Sequence, residues 1–264
     1  MDISILNTTP LRRYIPNIIA EVDGEPSLSE RLDPFIYSAK LWLEHYYLGT
    51  ENFLSDAHNE LAIKIVVAKA FASAIPSLDV VVTPTGFGII STSEMAPASK
   101  ERIERLIESL NSYVEANIAV LVDICCQYEQ WRTSPLGEYF CSTLFRPSDI
   151  ASLPANKKVS FEELQPQALQ LEQFIANEYL GSSLMNQLRS DYHSGNGSHV
   201  IDLLRAAELS SISQNSRVPG HQKLYSIIYE VKQNPRYKLL WEADMGESFN
   251  RAAFKNDIKG GFYF

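Results

Sequence analysis

At 264 residues, 45% hydrophobic and 21% charged, the chain is long enough for one large domain or two ordinary ones and apolar enough to bury a core. Its formal net charge of −9 lies wholly in residues 1–150, which hold 11 Lys+Arg against 20 Asp+Glu, whereas residues 151–264 hold 12 of each. A field of that sign repels a phosphate backbone, so sequence-specific nucleic-acid binding is not expected.

The start, Met1-Asp2-Ile3-Ser4, lacks the basic-then-apolar order of a secretory leader, so a cytoplasmic setting is expected. Residues 1–26 read as an arm, broken at Pro16 and ending in the turn Glu21 to Pro26. Asp33-Pro34 has the form of a helix start, followed by Ile36, Ala39, Leu43 and Tyr47 at helical spacing and a stop at Gly49. A second helix is predicted from Ser55-Asp56 to Ile75, with Leu61, Ile65, Ala68, Ala72 and Ile75 in one stripe. Its apolar run, Ile65 to Ile75, is interrupted by Lys69 and Ser73 and falls short of the ~18 residues of a membrane span. No membrane partner is therefore expected.

Residues 78–91 differ in kind. Val80-Val81-Val82-Thr83 and Phe87-Gly88-Ile89-Ile90 are strand-like, and Pro84-Thr85-Gly86 between them supplies a tight turn, which predicts a β-hairpin. Helix resumes at Ser99 with Ile103, Leu106, Ile107 and Leu110 on one face and charged residues on the other. A fourth helix is predicted over 114–131 and a short fifth from Ser134-Pro135. Arg146 to Lys158 has the composition of a linker.

Beyond it the pattern returns. A shift of 132 places Pro34 on Pro166 and Tyr47-Leu48-Gly49 on Tyr179-Leu180-Gly181. At 138, Ile63, Ile65, Val66 and Ala68 fall on Ile201, Leu203, Leu204 and Ala206. At 121, Ile103, Leu106, Ile107 and Leu110 fall on Leu224, Ile227, Ile228 and Val231. The expected fold is mainly α: two tandem, diverged helical-bundle units, 1–150 and 151–264, the first with an arm and the inserted β-hairpin.

Catalytic, metal and cofactor sites are not foreshadowed. His45, His58, His193, His199 and His221 show no metal spacing, and nucleotide and hydrolase loops are lacking. Cys125, Cys126 and Cys141 form no C-x-x-C and read as buried thiols, not reactive ones. Glu162-Glu163 and Glu101, Glu104 and Glu108 read as solvated helix faces. Tyr46, Tyr47, Tyr225 and Tyr229 read as core or interface. The candidate partner-binding residues are Val81, Thr83, Pro84, Thr85, Gly86 and Phe87 of the hairpin. The terminal Phe262, Tyr263 and Phe264 join them, since three aromatics are costly to leave in water; docking on this chain and on a partner stay open.

The segment Ala74 to Gly88 (AIPSLDVVVTPTGFG), followed by Ala96 to Arg102 (APASKER), resembles a family of uncharacterised proteins of Bacteroides phages and prophages. The Ala-rich helix ending in Tyr47-Leu48-Gly49 is similar to head–tail connector proteins of tailed phages. Those are helical bundles that form a ring between portal and tail, although as single units and not in tandem. The resemblance implies a structural, non-enzymatic role as a connector or neck component. Its partners would be protein: copies of itself in a homo-oligomeric ring, the portal, or tail proteins. The location implied is the bacterial cytoplasm and then the virion. A binding or regulatory adaptor of a mobile element is the alternative.

Overall fold

A computed structural model describes residues 11–15, 27–49, 53–78, 80–83, 86–89, 99–153, 160–214, 216 and 219–250. The chain divides into two compact units, Met1–Phe140 and Cys141–Phe264, so the division falls ten residues before the expected boundary at 150.

In the first unit, α1 (Leu28–Leu43) begins earlier than Asp33-Pro34 suggested. Ser27 accepts the Glu30 N–H at 3.2 Å while Glu30 accepts the Ser27 N–H at 2.8 Å, a reciprocal cap that leaves Pro34 inside the helix. The helix widens into a π turn, Glu44–Leu48, closed by Gly49 at φ 79° with its N–H on the Glu44 carbonyl. Next, α2 (Asp56–Leu78) packs against both α1 and α3 (Lys100–Cys125). Its Ala62, Ile63, Ile65 to Ala68, Ala70 to Ala72, Ala74 and Ile75 are buried on almost every side. At 23 residues α2 is, by length and composition, apolar enough to cross a membrane, which corrects the reading from its interrupted run. Its place as the central helix of unit 1 accounts for that composition.

The third and fourth predicted helices are one. α3 runs unbroken to Cys125, because Leu110, Val114, Ile118, Leu121 and Val122 keep a single buried stripe through the expected gap. Two short helices, α4 (Glu129–Arg132) and α5 (Pro135–Phe140), complete the unit.

The inserted β-hairpin does not stand as part of the fold class, which is helical in both units. Val80–Thr83 (β1) and Gly86–Ile89 (β2) align antiparallel, with Val81 facing Gly88 and Thr83 facing Gly86, but only as a two-stranded ribbon at the end of α2. β-Branched propensity gives such a ribbon its extended backbone. Without a third strand it adds no layer to a core built by helix on helix.

The second unit opens with a 3₁₀ turn, Pro147–Ser152, where a linker was expected. It continues with α6 (Phe161–Ile175), α7 (Ser182–His193), α8 (His199–Ser213), α9 (His221–Gln233) and α10 (Pro235–Asn250). Ser160 and Glu163 repeat the reciprocal cap of Ser27 and Glu30. Ala176–Leu180 repeats the π turn, and Gly181 at φ 82° repeats Gly49. The packing repeats as well. The first helix of each unit meets the second long one (α1 on α2, α6 on α8), and the next leans on both that helix and the π turn (α3, α9).

One side chain closes each copy. Trp131 Nε1 donates to the Tyr47 carbonyl at 3.0 Å, and Trp241 Nε1 donates to the Tyr179 carbonyl at 2.8 Å. Both indoles are about 1% exposed, and the two carbonyls lie 132 residues apart at the same place in the π turn. The spacing of the buried Leu224, Ile227, Ile228 and Val231 is shared by Ile103, Leu106, Ile107 and Leu110 and by Ile118, Leu121, Val122 and Cys125, and the second set is the one buried throughout.

The two glycines give a graded test. A Cβ at Gly49 would meet nothing within 4 Å, whereas one at Gly181 would lie 2.4 Å from Asp244 Cβ. Gly49→Ala should cost about 1–3 kcal/mol, the strain of its backbone region alone. Gly181→Ala should cost more, because Asp244 must also leave the Ser183 N–H it accepts at 2.7 Å. Urea denaturation followed by circular dichroism would rank them, and equal losses would contradict the packing at Gly181.

Candidate functional site

The expected partner residues are placed unevenly. Val81 and Thr83 sit on β1 and Gly86 and Phe87 on β2, their side chains outside the described residues. Pro84, Thr85, Phe262, Tyr263 and Phe264 also lie outside them. Nothing in the described structure brings the two groups together.

Two features outside the expected partner residues lie in the second unit. One is a buried ionic cluster. Glu172 on α6 is fully buried; its Oε1 accepts the Leu144 N–H and its Oε2 accepts Arg189 Nε at 2.6 Å. Glu208 on α8, 1% exposed, lies beside Glu172, and its Oε1 has no hydrogen-bond partner among the described residues. Arg205, on the same helix, donates to Asp149 Oδ1 at 2.6 Å and to the Leu144 carbonyl at 3.2 Å. Arg146 and Arg205 also lie against the Tyr192 ring, 3.7 and 4.4 Å from its centroid. The cluster therefore straps residues 143–149 to α6, α7 and α8.

Burial first, and then the adjacent negative charge of Glu172, pushes the Glu208 carboxyl well above the ordinary carboxylate range. The shift favours the protonated form of Glu208, which removes one of two negative charges from the buried neighbourhood of Glu172 and Arg189. Two carboxyls so placed have the form of an acid–base pair. Here they face a strap of their own chain, and what they do in the described structure is hold it. No sequence signal marked them: each occupies a helix position where an acid ordinarily faces water.

The second feature is on α9. Tyr225 and Tyr229, one turn apart, are 57% and 63% exposed. With Leu203, Ser226 and Glu230 they line an open groove along α8 and α9. Tyr225 meets Tyr179 edge-on, ring centroids 6.2 Å apart, and Tyr179 is held by His221 Nδ1 at 2.6 Å. The groove wall is thus anchored through the π turn to the core of the unit. The histidines serve similarly elsewhere: His58 Nδ1 pairs with the Tyr128 hydroxyl at 2.7 Å and His193 Nε2 with the Thr143 carbonyl at 2.8 Å.

The raised proton affinity of Glu208 fixes a sign. Folded protein keeps the proton above pH 4.5, where the unfolded chain releases it, so the folded state binds more protons there. Stability should therefore fall as pH rises from about 4.5 through the folded pKa. Glu208→Gln keeps a neutral group beside Glu172 and should be more stable than wild type at neutral pH, with a flatter profile. Urea midpoints at several pH values would check this, and parallel profiles would refute the raised proton affinity.

A family of unknown function, DUF6712, matches residues 24–140. That stretch ends at the residue where the first compact unit ends, and it leaves the second unit, with both features above, unmatched. Comparison with curated proteins and with solved structures yields no match.

Proposed function

We propose that the chain is a structural protein of a phage or prophage, a head–tail connector or neck component that works by protein–protein contact. The observation that carries this reading is the tyrosine groove on α9. Tyrosine offers a large contact area at little rotamer cost and is enriched at the centres of protein interfaces. Tyr225 and Tyr229 stand on a rigid helix with more than half their surface in water, beside the apolar stem of Leu203. The groove is shallow and open, a shape that suits a partner's helix or loop better than an enclosed small molecule. The phage setting comes from the resemblance of residues 74–102, and the acid excess of the first unit fits a surface past which a genome slides.

Tyr225→Lys with Tyr229→Lys should abolish assembly while moving the thermal midpoint little, because both side chains already face water. The measurement is sedimentation of the chain alone and mixed with portal protein, with electron microscopy of any ring. Loss of about 2 kcal/mol of binding, roughly 30-fold in affinity, is the expected scale for removing such an anchor. If the wild-type chain neither self-associates nor binds portal or tail proteins, the connector reading fails and the adaptor reading takes its place.

A further inference from the structure

The groove along α8 and α9 has the chemistry to receive a segment that is both aromatic and cationic. Tyr225 and Tyr229 are more than half exposed, Leu203 adds an apolar side chain, and Glu230 is the one charged residue of its lining. The cations of these two helices are engaged elsewhere. Arg205 pairs with Asp149, Lys223 Nζ donates to the Ser210 hydroxyl at 3.1 Å, and Lys232 Nζ lies 4.4 Å from the centroid of the Trp241 ring. The acid of the groove is left to a cation from another part of the chain or from a partner.

The second unit has four stretches outside the described residues: 154–159, 215, 217–218 and 251–264. Only the last carries aromatics, namely Phe254, Phe262, Tyr263 and Phe264. It also holds Arg251, Lys255 and Lys259 against one acid, Asp257, so its charge is opposite in sign to that of Glu230.

Reach agrees with chemistry. α10, from which this stretch continues, packs on α9 and on the π turn. Its Trp241 donates to the Tyr179 carbonyl, and the Tyr179 ring meets Tyr225 edge-on, so α10 passes close to the Tyr225 part of the groove. From Trp241 to Asn250 the helix advances about 13 Å. The twelve residues from Asn250 to Phe262 can span up to about 40 Å, three times the length to be retraced. A tether of this kind supplies an effective concentration on the order of 1 mM, above that of a second copy in dilute solution. That selects the chain's own segment over a neighbour's.

We propose that residues 260–264 of this same chain dock in the α8–α9 groove, their aromatic rings on Tyr225 and Tyr229 and Lys259 toward Glu230, as a removable cover of that surface. Aromatic rings meeting edge-on or offset add to the apolar area buried. This rests on the groove being a docking face, as proposed above; it names the first occupant, which an assembly partner displaces.

The test places a photo-cross-linking benzoylphenylalanine at position 229 of the full chain. Illumination should give an adduct of single-chain mass, mapped by mass spectrometry to residues 260–264, with a yield independent of protein concentration. Phe262→Ser with Tyr263→Ser and Phe264→Ser should lower that yield on the order of 10-fold with an unchanged circular dichroism spectrum. In a chain without the photo-probe, Tyr225→Lys with Tyr229→Lys should speed trypsin cleavage after Lys259 by a similar factor, because the segment is no longer held. An adduct that maps elsewhere, one of two-chain mass, or cleavage that the lysine variant leaves unchanged overturns the proposal. A chain that cross-links as expected yet never assembles keeps this inference and sinks the connector reading; assembly through the groove with no cross-link to 260–264 does the reverse.

Discussion

The indole N–H groups of Trp131 and Trp241 answer a constraint that each unit creates for itself. A helix that widens into a π turn and ends on a left-handed glycine leaves carbonyls of its last turn without a helical partner. In both copies one side of that turn lies against a buried indole, where an unpaired carbonyl would cost a desolvation penalty. The donor comes from far along the chain, 84 residues after Tyr47 and 62 after Tyr179. Closing that bond brings the last part of each unit back to the end of its first helix, and the long helices between are held against one another.

What the two units do with this shared closure differs. The first spends its length on α2 and α3, of 23 and 26 residues, and fills the centre with small and β-branched side chains. The second uses shorter helices and inserts α7 directly after Gly181. That extra helix brings Arg189, Asp191 and His193 inside, and polar chemistry follows it. Asp191, 3% exposed, accepts the Tyr237 hydroxyl at 2.9 Å and pairs with Arg236, tying α7 to α10. The hydrophobic core of this unit, from Leu144 to Met245, is thus edged by ionic contacts that include the fully buried Glu172, whereas the Arg13–Glu60 and Lys64–Glu60 pairs of the first unit are more exposed.

Much of this was legible in the residues. Periodicity located α1, α2, α6, α8 and α9, and the recurrence of Tyr-Leu-Gly at an interval of 132 exposed the duplication before any geometry. The errors have physical causes. Pro34 suggested a helix start, yet the decisive signal was Ser27 with Glu30, a cap that needs both residues to be read together. The hairpin residues carry real strand propensity, but propensity does not supply a layer to pack on. Glu172 and Glu208 were not singled out, because nothing in the spacing of one helix reveals which neighbours cover it. Trp131 and Trp241 could have been found: a lone tryptophan near the end of each copy, after a repeated Tyr-Leu-Gly, is a donor in search of a carbonyl.

Burial also changes what the charge balance means. Residues 1–140 hold 10 Lys+Arg against 19 Asp+Glu, a balance of −9, and residues 141–264 hold 13 of each, a balance of zero. In the second unit, however, Glu172, Glu208, Asp149 and Asp191 are inside, and burial raises the proton affinity of Glu208. Its outer surface is therefore less acidic than its composition, and the groove carrying Tyr225 and Tyr229 is lined by Leu203, Ser226 and one acid, Glu230. Charged residues are depleted at the centres of protein interfaces because removing their hydration is costly. Both units expose tyrosines, Tyr37 and Tyr46 in the first as well as Tyr225 and Tyr229 in the second, but only the second draws acids fully inside among the described residues. That contrast, more than either sequence repeat alone, is the physical basis for assigning the proposed docking surface to the second copy.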